Sequence, residues 1–192
     1  MTILGRPGRD LQQELRGIPV SQIAEEEALP KSVSRCRSFP PTTDATILWA
    51  HALRHLEYAV MKMRRSGLAC RGVSLWVRTD RTGGYAHMGA NVSFPNGLDT
   101  VEALLPPVQS CFRDILRTRT SYTQVGLALW HLVDGCAVQE SLFEAPQKSA
   151  QRSAVQATLD LLHGQFGRNA ITRGSAMTVK TGMRPVLDGI YE

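Results

Sequence analysis

The residues best suited to bind phosphate lie in one short segment, Lys31 to Phe39, with the sequence KSVSRCRSF. In a β-strand, one face would carry Lys31, Val33, Arg35 and Arg37. The other face would carry only small residues, which could sit against packed helices: Ser32, Ser34, Cys36 and Ser38. Arginines at positions i and i+2 can donate to successive phosphates of a nucleic-acid backbone. The same alternation also suits an edge strand whose charges prevent aggregation, and this segment alone leaves both interpretations open.

Residues that could catalyse a reaction or hold a metal are scattered. His51 and His55 have the i, i+4 spacing of a metal pair, but no HExxH glutamate or third ligand accompanies them, which favours helix-surface histidines. Ser38 and Ser141 have no recognisable base beside them. The aspartates form no cluster of the kind that holds two metal ions for phosphoryl transfer. The sequence therefore predicts no catalytic residue, no metal site and no cofactor.

Length and composition predict one soluble domain with an appendage. The chain has 192 residues and a net charge of +5, a basic excess that is compatible with a polyanionic partner without identifying one. Its four cysteines form no CxxC pair, so we expect reduced core thiols. No apolar run approaches the roughly 20 residues of a membrane span, and no signal peptide is recognisable, which together favour the cytoplasm.

The periodicity predicts strands and helices in the order β-α-β-β-α-β. This order favours an α+β fold, a two-layer domain whose four-stranded sheet carries two helices on one face, plus a C-terminal tail helix. Pro40-Pro41 and Pro95-Gly97 should end strands, and Pro106-Pro107 should divide the second helix in two. The predicted strands are 31–39, 69–79, 87–94 and 122–133, and the predicted helices are 43–65, 99–119 and 149–166, with a short helix ending at Gly17 and a loose tail after 167.

The face of the sheet away from the helices should be open, polar and basic. It contains no acidic residue, whereas an ordinary exposed face would mix both signs of charge. This difference favours a nucleic-acid-binding surface. Trp76 and Trp130 could stack on bases there or cover the sheet against a neighbouring domain. The residues predicted on this face are Lys31, Arg35, Arg37, Ser74, Trp76, Arg78, Asn91, Tyr122, Gln124 and Trp130.

A short linear motif follows the last strand. Gln139 could bond to backbone groups at the rim of a partner's pocket, while Leu142 and Phe143 fill an apolar slot. The alternative is that Leu142 and Phe143 anchor the tail to the domain.

Taken together, these segments resemble the C-terminal part of a Y-family, UmuC/DinB-like lesion-bypass DNA polymerase. The first strand resembles the start of that family's little finger domain, and Tyr122 to Leu129 resembles its last strand. Arg16 to Pro19 resembles the junction after the thumb, and Gln139 to Phe143 resembles the sliding-clamp-binding motif. The resemblance implies a thumb-like remnant at 1–17, a linker at 18–30, a little finger domain at 31–133, a clamp-binding segment at 134–147 and a C-terminal helix and tail at 148–192.

By this resemblance the open face lies in the DNA groove at the template-primer, and the tail docks on the replication clamp. The chain departs from the family at Thr123 and Gln124, where members often carry basic residues, and in the acidic run of residues 25–27. The residues expected to bind DNA are Lys31, Ser32, Ser34, Arg35, Arg37, Ser74, Arg78 and Gln124, and those expected to bind the clamp are Gln139, Leu142 and Phe143.

The sequence thus predicts a non-catalytic, DNA-binding and clamp-tethering region of a polymerase that acts in translesion synthesis and the SOS response. Any Mg²⁺ would belong to a palm that this chain lacks, and the missing polymerase core would be a further partner. The alternative function is a protein-interaction module that binds the clamp without useful DNA affinity. No membrane partner is expected.

Overall fold

The computed structural model describes residues 5–20, 29–80, 86–135, 146–167 and 170–177, and for 146–150 it describes the backbone alone. The predicted α+β fold is confirmed: the four strands form one antiparallel sheet in the spatial order β1-β4-β2-β3. The elements in chain order are α1 (Gly5–Leu15), β1 (Ser32–Thr42), α2 (Ala45–Arg65), β2 (Leu68–Thr79), β3 (His87–Leu98), α3 (Val101–Ile115), β4 (Tyr122–Asp134), α4 (Pro146–Phe166) and a 3₁₀ turn (Gly174–Ala176).

Side-chain caps place the two helices that cover the sheet. The Asp44 carboxylate accepts a hydrogen bond from the Thr46 amide at 2.7 Å and begins α2. The Thr100 hydroxyl accepts from the Ala103 amide at 3.3 Å and begins α3. After α2, Gly67 adopts a left-handed φ of 68°, which turns the chain directly into β2.

The core lies between this helix pair and one face of the sheet, which we call the helix side. Apolar residues of β2 and β4 alternate onto this side because successive strand side chains point to opposite faces. Leu48, Leu56 and Leu104 from the helices are completely buried against them. The helix-side rows across β1, β4, β2 and β3 are Val33–Leu129–Val73–Val92, Arg35–Leu127–Leu75–Ala90 and Arg37–Val125–Val77–Met88.

The prolines interrupt less than predicted. The break expected at Pro106-Pro107 is wrong, because α3 continues through both residues as one helix. A single helix keeps both Leu104 and Cys111 buried, and this packing outweighs the lost backbone hydrogen bonds. β1 also continues through Pro40-Pro41 and β3 through Pro95-Gly97, because an edge strand tolerates a missing donor. The register shifts in both places.

Polar contacts attach the tail helix α4 to the domain. Val155 and Phe166 are 55% and 69% exposed, whereas Gln156 is buried and accepts from the Val101 amide. Arg64 at the end of α2 bridges Asp160 of α4 and Asp99 ahead of α3.

Part of the predicted loose tail is ordered. Ala176 is buried, and its carbonyl accepts from Arg54 Nε at 3.0 Å. Arg173 pairs with Glu57 of α2 at 3.0 Å and with Glu102 of α3. The segment 170–177 is therefore fastened across both helices.

Two of the three described cysteines meet the expectation of core thiols. Cys70 and Cys111 are buried thiols as predicted, and burial raises the pKa of Cys70 to about 12, but Cys36 is exposed. Cys136 lies outside the described residues.

Among the described helices, none has the length and hydropathy needed to cross a membrane.

Candidate nucleic-acid interface

The face opposite the helices presents sixteen side-chain positions in four rows across the sheet; we call these sixteen positions the open face. The edge-strand residues on it are exposed, and those of the two central strands are half-buried except for two buried glycines. The rows, across β1, β4, β2 and β3, are Ser32–Trp130–Gly72–Ser93, Ser34–Ala128–Ser74–Asn91, Cys36–Gly126–Trp76–Gly89 and Ser38–Gln124–Arg78–His87.

The open face contains no carboxylate, and its polar groups are mostly hydroxyls and amides. Arg78 is its one arginine, and His87 lies beside it in the same row. Hydroxyl, amide and guanidinium groups all donate hydrogen bonds to phosphate oxygens without the repulsion that Asp or Glu would add. This composition suits contact with a polyanion.

The prediction that Arg35 and Arg37 lie on the open face is wrong. They share their strand face with Val33, which is 3% exposed in the core, and they pair with the buried Leu127 and Val125 of β4. The serines alternating with them, predicted to suit the helix-packed side, form the exposed edge of the open face. Arg35 and Arg78 therefore lie on opposite sides of the sheet.

The two arginines line the margin between the edge strand β1 and helix α2, which we call the β1–α2 edge. The Arg35 guanidinium lies 4.3 Å from the centre of the Tyr58 ring, a cation–π contact. Phe39 stacks on His51 with ring centres 4.7 Å apart and planes 3° from parallel. Both arginines remain half-exposed, so positive charge reaches the surface along this edge.

Two buried histidines lie beneath that edge, contrary to the prediction of surface histidines. His51 and His55 are only 4% and 2% exposed. Burial, followed by repulsion from Arg37 and Arg54, lowers the pKa of His51 to about 4. Burial, followed chiefly by repulsion from Arg35, lowers the pKa of His55 to about 3. Both rings are neutral at pH 7, so the charge of the edge belongs to its arginines.

Both open-face tryptophans lie over glycines of the neighbouring strand. A Cβ on Gly72 would be 2.5 Å from Trp130 Cε2, and a Cβ on Gly126 would be 2.1 Å from Trp76 Cε2. Glycine is required at both positions because the indole occupies the space of a side chain.

The structure thus gathers some predicted DNA-binding residues and separates others. Lys31 is exposed just ahead of β1. Tyr122, predicted on the open face, is instead 1% exposed, and its hydroxyl accepts from the Arg117 amide at 2.7 Å. The clamp-binding residues 139, 142 and 143 lie outside the described residues. The predicted DNA-binding residues on the open face are Ser32, Ser34, Ser74, Arg78 and Gln124.

The two glycines under the indoles were not predicted from the sequence. The signal was present as a repeat: GVSLW at 72–76 and GLALW at 126–130 each place Gly four residues before Trp. In antiparallel neighbours this spacing pairs Gly72 with Trp130 and Trp76 with Gly126.

Residues 30–142 match a family model described as the impB/mucB/samB family C-terminal domain. No curated protein matches the sequence. The matched range begins just before β1 and extends beyond the end of β4, so it contains the whole sheet and the helices α2 and α3.

Solved structures with similar folds include two DNA polymerases of low sequence identity. The insertion ternary complex of Dbh DNA polymerase is 11% identical, with a TM-score of 0.42, and the match covers 66% of this chain and 35% of that one. DinB from Sulfolobus solfataricus is 13% identical, with a TM-score of 0.41, over 53% of this chain and 29% of that one. The chain spans about a third of the length of these structures.

Proposed function

Because the chain belongs to the impB/mucB/samB family through its C-terminal domain, we propose that it is a DNA-binding and clamp-tethering region of a Y-family lesion-bypass polymerase. The family match confirms the resemblance predicted from the sequence. The single observation that supports DNA binding is the open face, which is exposed along both edge strands and contains no carboxylate.

In this proposal, template-primer duplex lies across the open face. Ser32, Ser34 and Gln124 would donate to phosphate oxygens, and Arg78 would add a charged contact. Further attraction comes from the margin, where Lys31 and the β1–α2 edge bring positive charge to one border of the face. Among the described residues, no group of three or more His, Cys, Asp or Glu side chains could hold a metal ion, and the proposal gives this chain no part in phosphoryl transfer.

A negative charge placed on the open face should oppose DNA binding. Ser34→Glu puts a carboxylate at an exposed position of the open face, where repulsion from a phosphate about 4 Å away is worth roughly 1–4 kcal/mol. We expect binding of primer-template duplex to weaken by at least about fivefold, measured by fluorescence anisotropy at fixed salt. Ser110→Glu, at an exposed position of α3, is the matched control and should leave the affinity unchanged.

The salt dependence of DNA binding, measured in the same assay, distinguishes the contribution of the β1–α2 edge from that of the open face. If Arg35 and Arg37 each neutralise a phosphate, Arg35→Ala with Arg37→Ala should reduce the slope of log K against log salt by about 1.8. An unchanged slope would mean that these arginines neutralise no phosphate. Equal affinity for the wild type and Ser34→Glu would remove the open face from the proposal.

Clamp tethering should depend on the tail motif. Leu142→Ala with Phe143→Ala removes two apolar anchors, each worth about 2 kcal/mol or more if it fills a pocket. Binding of the full chain to a bacterial sliding clamp, measured by surface plasmon resonance, should therefore fall by more than about 100-fold.

The matched control is Leu161→Ala with Phe166→Ala, which removes the same two residue types from exposed positions in α4. It should leave clamp binding intact. Clamp binding that survives loss of the tail motif would overturn tethering, and clamp binding without any DNA affinity would favour the alternative interaction module.

A further inference from the structure

The open face has an internal near-symmetry that places its two tryptophans as a pair. Gly72 and Trp76 of β2 are related to Gly126 and Trp130 of β4 by a local two-fold axis, because the strands are antiparallel and in register. The axis passes between the paired Ser74 and Ala128. Each indole crosses from its own strand to the glycine of the other.

The indole of Trp130 lies with its ring face toward the sheet. A Cβ on Gly72 would be 2.5, 2.5 and 2.6 Å from Cε2, Cζ2 and Cδ2, three consecutive atoms of the six-membered ring. A point nearly equidistant from three such atoms lies on the axis perpendicular to the ring through its centre. One face of the ring therefore packs on the Gly72 backbone, and the other face points away from the sheet.

The indole of Trp76 likewise packs directly on the backbone of a glycine, Gly126, of the neighbouring strand. A Cβ on Gly126 would be 2.1 Å from Cε2, 2.2 Å from Cζ2 and 2.4 Å from Nε1 of the indole. Trp76 and Trp130 are both half-buried. The His131 ring lies edge-on to Trp130, with ring centres 4.6 Å apart. His87 approaches Trp76 with ring centres 6.5 Å apart, which adds a second ring beside it.

The surroundings of the two rings fit a nucleic acid better than a protein. Protein-docking patches bury clustered apolar side chains at their centre. Apart from the two indoles, the sixteen open-face positions hold no Val, Leu, Ile, Met or Phe. Serine, asparagine and glutamine side chains lie between and beside the rings instead, and these donate to base edges and phosphates.

We propose that the open face binds unpaired nucleotides, with one base stacked on the outward face of Trp76 and another on that of Trp130. Aromatic rings on an open sheet face stack bases of any sequence, since every base has a π-face. A base inside a duplex already has both faces covered by its neighbours, so the indoles select single-stranded or flipped nucleotides. This inference rests on the proposed function only in that the open face binds nucleic acid.

The spacing of the rings limits how the strand can lie. Trp76 and Trp130 are four residues apart along paired strands, which is about 14 Å at about 3.4 Å per residue. Stacked nucleotides rise about 3.4 Å along a strand, so the two stacked bases are separated by intervening nucleotides. An oligonucleotide of several nucleotides is therefore needed to occupy both positions.

The test compares three probes on the full chain: a blunt duplex, the same duplex with a single-stranded overhang, and a mixed-sequence single strand of about a dozen nucleotides. Affinities come from anisotropy, and stacking comes from quenching of tryptophan fluorescence. Trp76→Leu and Trp130→Leu each remove one ring, and Trp49→Phe is the control, since Trp49 packs edge-on against Phe112 on the helix side. Thermal melts show whether each variant is folded. If a leucine variant is not folded, quenching of the wild-type tryptophan emission is the deciding measurement for that position.

Single strands should quench the tryptophan fluorescence of the wild type and of Trp49→Phe. Each leucine variant should bind the single strand and the overhang duplex about 5- to 100-fold more weakly than the wild type does. Blunt-duplex affinity should change less than twofold. Equal losses for all three probes, or binding without quenching, would overturn base stacking and leave DNA binding by the open face intact. Failure of all three probes to bind the wild type would overturn the proposed function as well.

Discussion

The free energy of unfolding should fall steeply as the pH decreases from about 6.5 to 5. His51 and His55 have pKa values of about 4 and 3 in the folded chain, whereas an unfolded histidine titrates near 6.5. Between these values the unfolded state binds protons that the folded state excludes, so acid favours unfolding. Each histidine contributes up to about 1.4 kcal/mol per pH unit, and together they should cost about 4 kcal/mol by pH 5.

Urea titrations at half-unit pH intervals from 7.5 to 5 measure this loss. Replacing a buried histidine by leucine, as in His55→Leu, should remove about half of the slope because one proton-binding difference disappears. His131→Gln, at an exposed position of β4, should retain the full slope. A wild-type free energy that stays constant from pH 7 to 5 would contradict neutral, buried histidines at the β1–α2 edge.

Gly126→Ala should be the most disruptive single-methyl change on the open face. The new Cβ would be 2.1 Å from Trp76 Cε2, so the ring must leave its position over β4. Overpacking of this kind costs about 1–3 kcal/mol, against the 0.5–1 kcal/mol that replacing a strand glycine by alanine ordinarily gains. Chemical denaturation should show the loss, and Trp76 emission should shift to the red as the ring enters water.

A double-mutant cycle isolates the contact between the ring and the glycine. In a Trp76→Ala background, Gly126→Ala should be neutral or slightly stabilising, since nothing then occupies the space of the added methyl. Gly89→Ala is the matched control, because its Cβ would be 3.4 Å from the Leu75 carbonyl oxygen, an ordinary contact. Additive effects of the Gly126 and Trp76 substitutions would show that the indole does not lie over this glycine.

Periodicity and caps were enough to predict the element order and the core faces of the central strands. Val73, Leu75 and Val77 alternate in a strand buried on one side, so their direction follows from the sequence alone. A cap at Thr43 or Asp44 predicted the start of α2, because a cap is a contact between near neighbours in the chain, and in the structure the cap is Asp44. The continuity of α3 through Pro106 could not be predicted, since the packing that outweighs a proline comes from residues distant in sequence.

Some features of the open face could likewise be predicted from the sequence, and others could not. Ser74 and the two tryptophans were placed on the open face from the sequence, whereas the serines of β1 were placed on the opposite face. The glycines under the indoles were not predicted, because strand register is needed to bring Gly126 beneath Trp76. The predicted side of the sheet for Arg35 was wrong, because its charge was taken to mean that the side chain lies on the solvent-exposed open face. In the structure the edge strand lets a long side chain pack over Tyr58 and still reach water.

The sequence by itself therefore determined the fold class, the family and the absence of carboxylates from the sheet's serine- and tryptophan-bearing positions, since these depend on local pattern and composition. Only the tertiary structure decided which side of the sheet each arginine occupies, that His51 and His55 are buried, and that two glycines hold two indoles. Those properties arise from side chains far apart in the chain, whose meeting is set by strand pairing and helix packing.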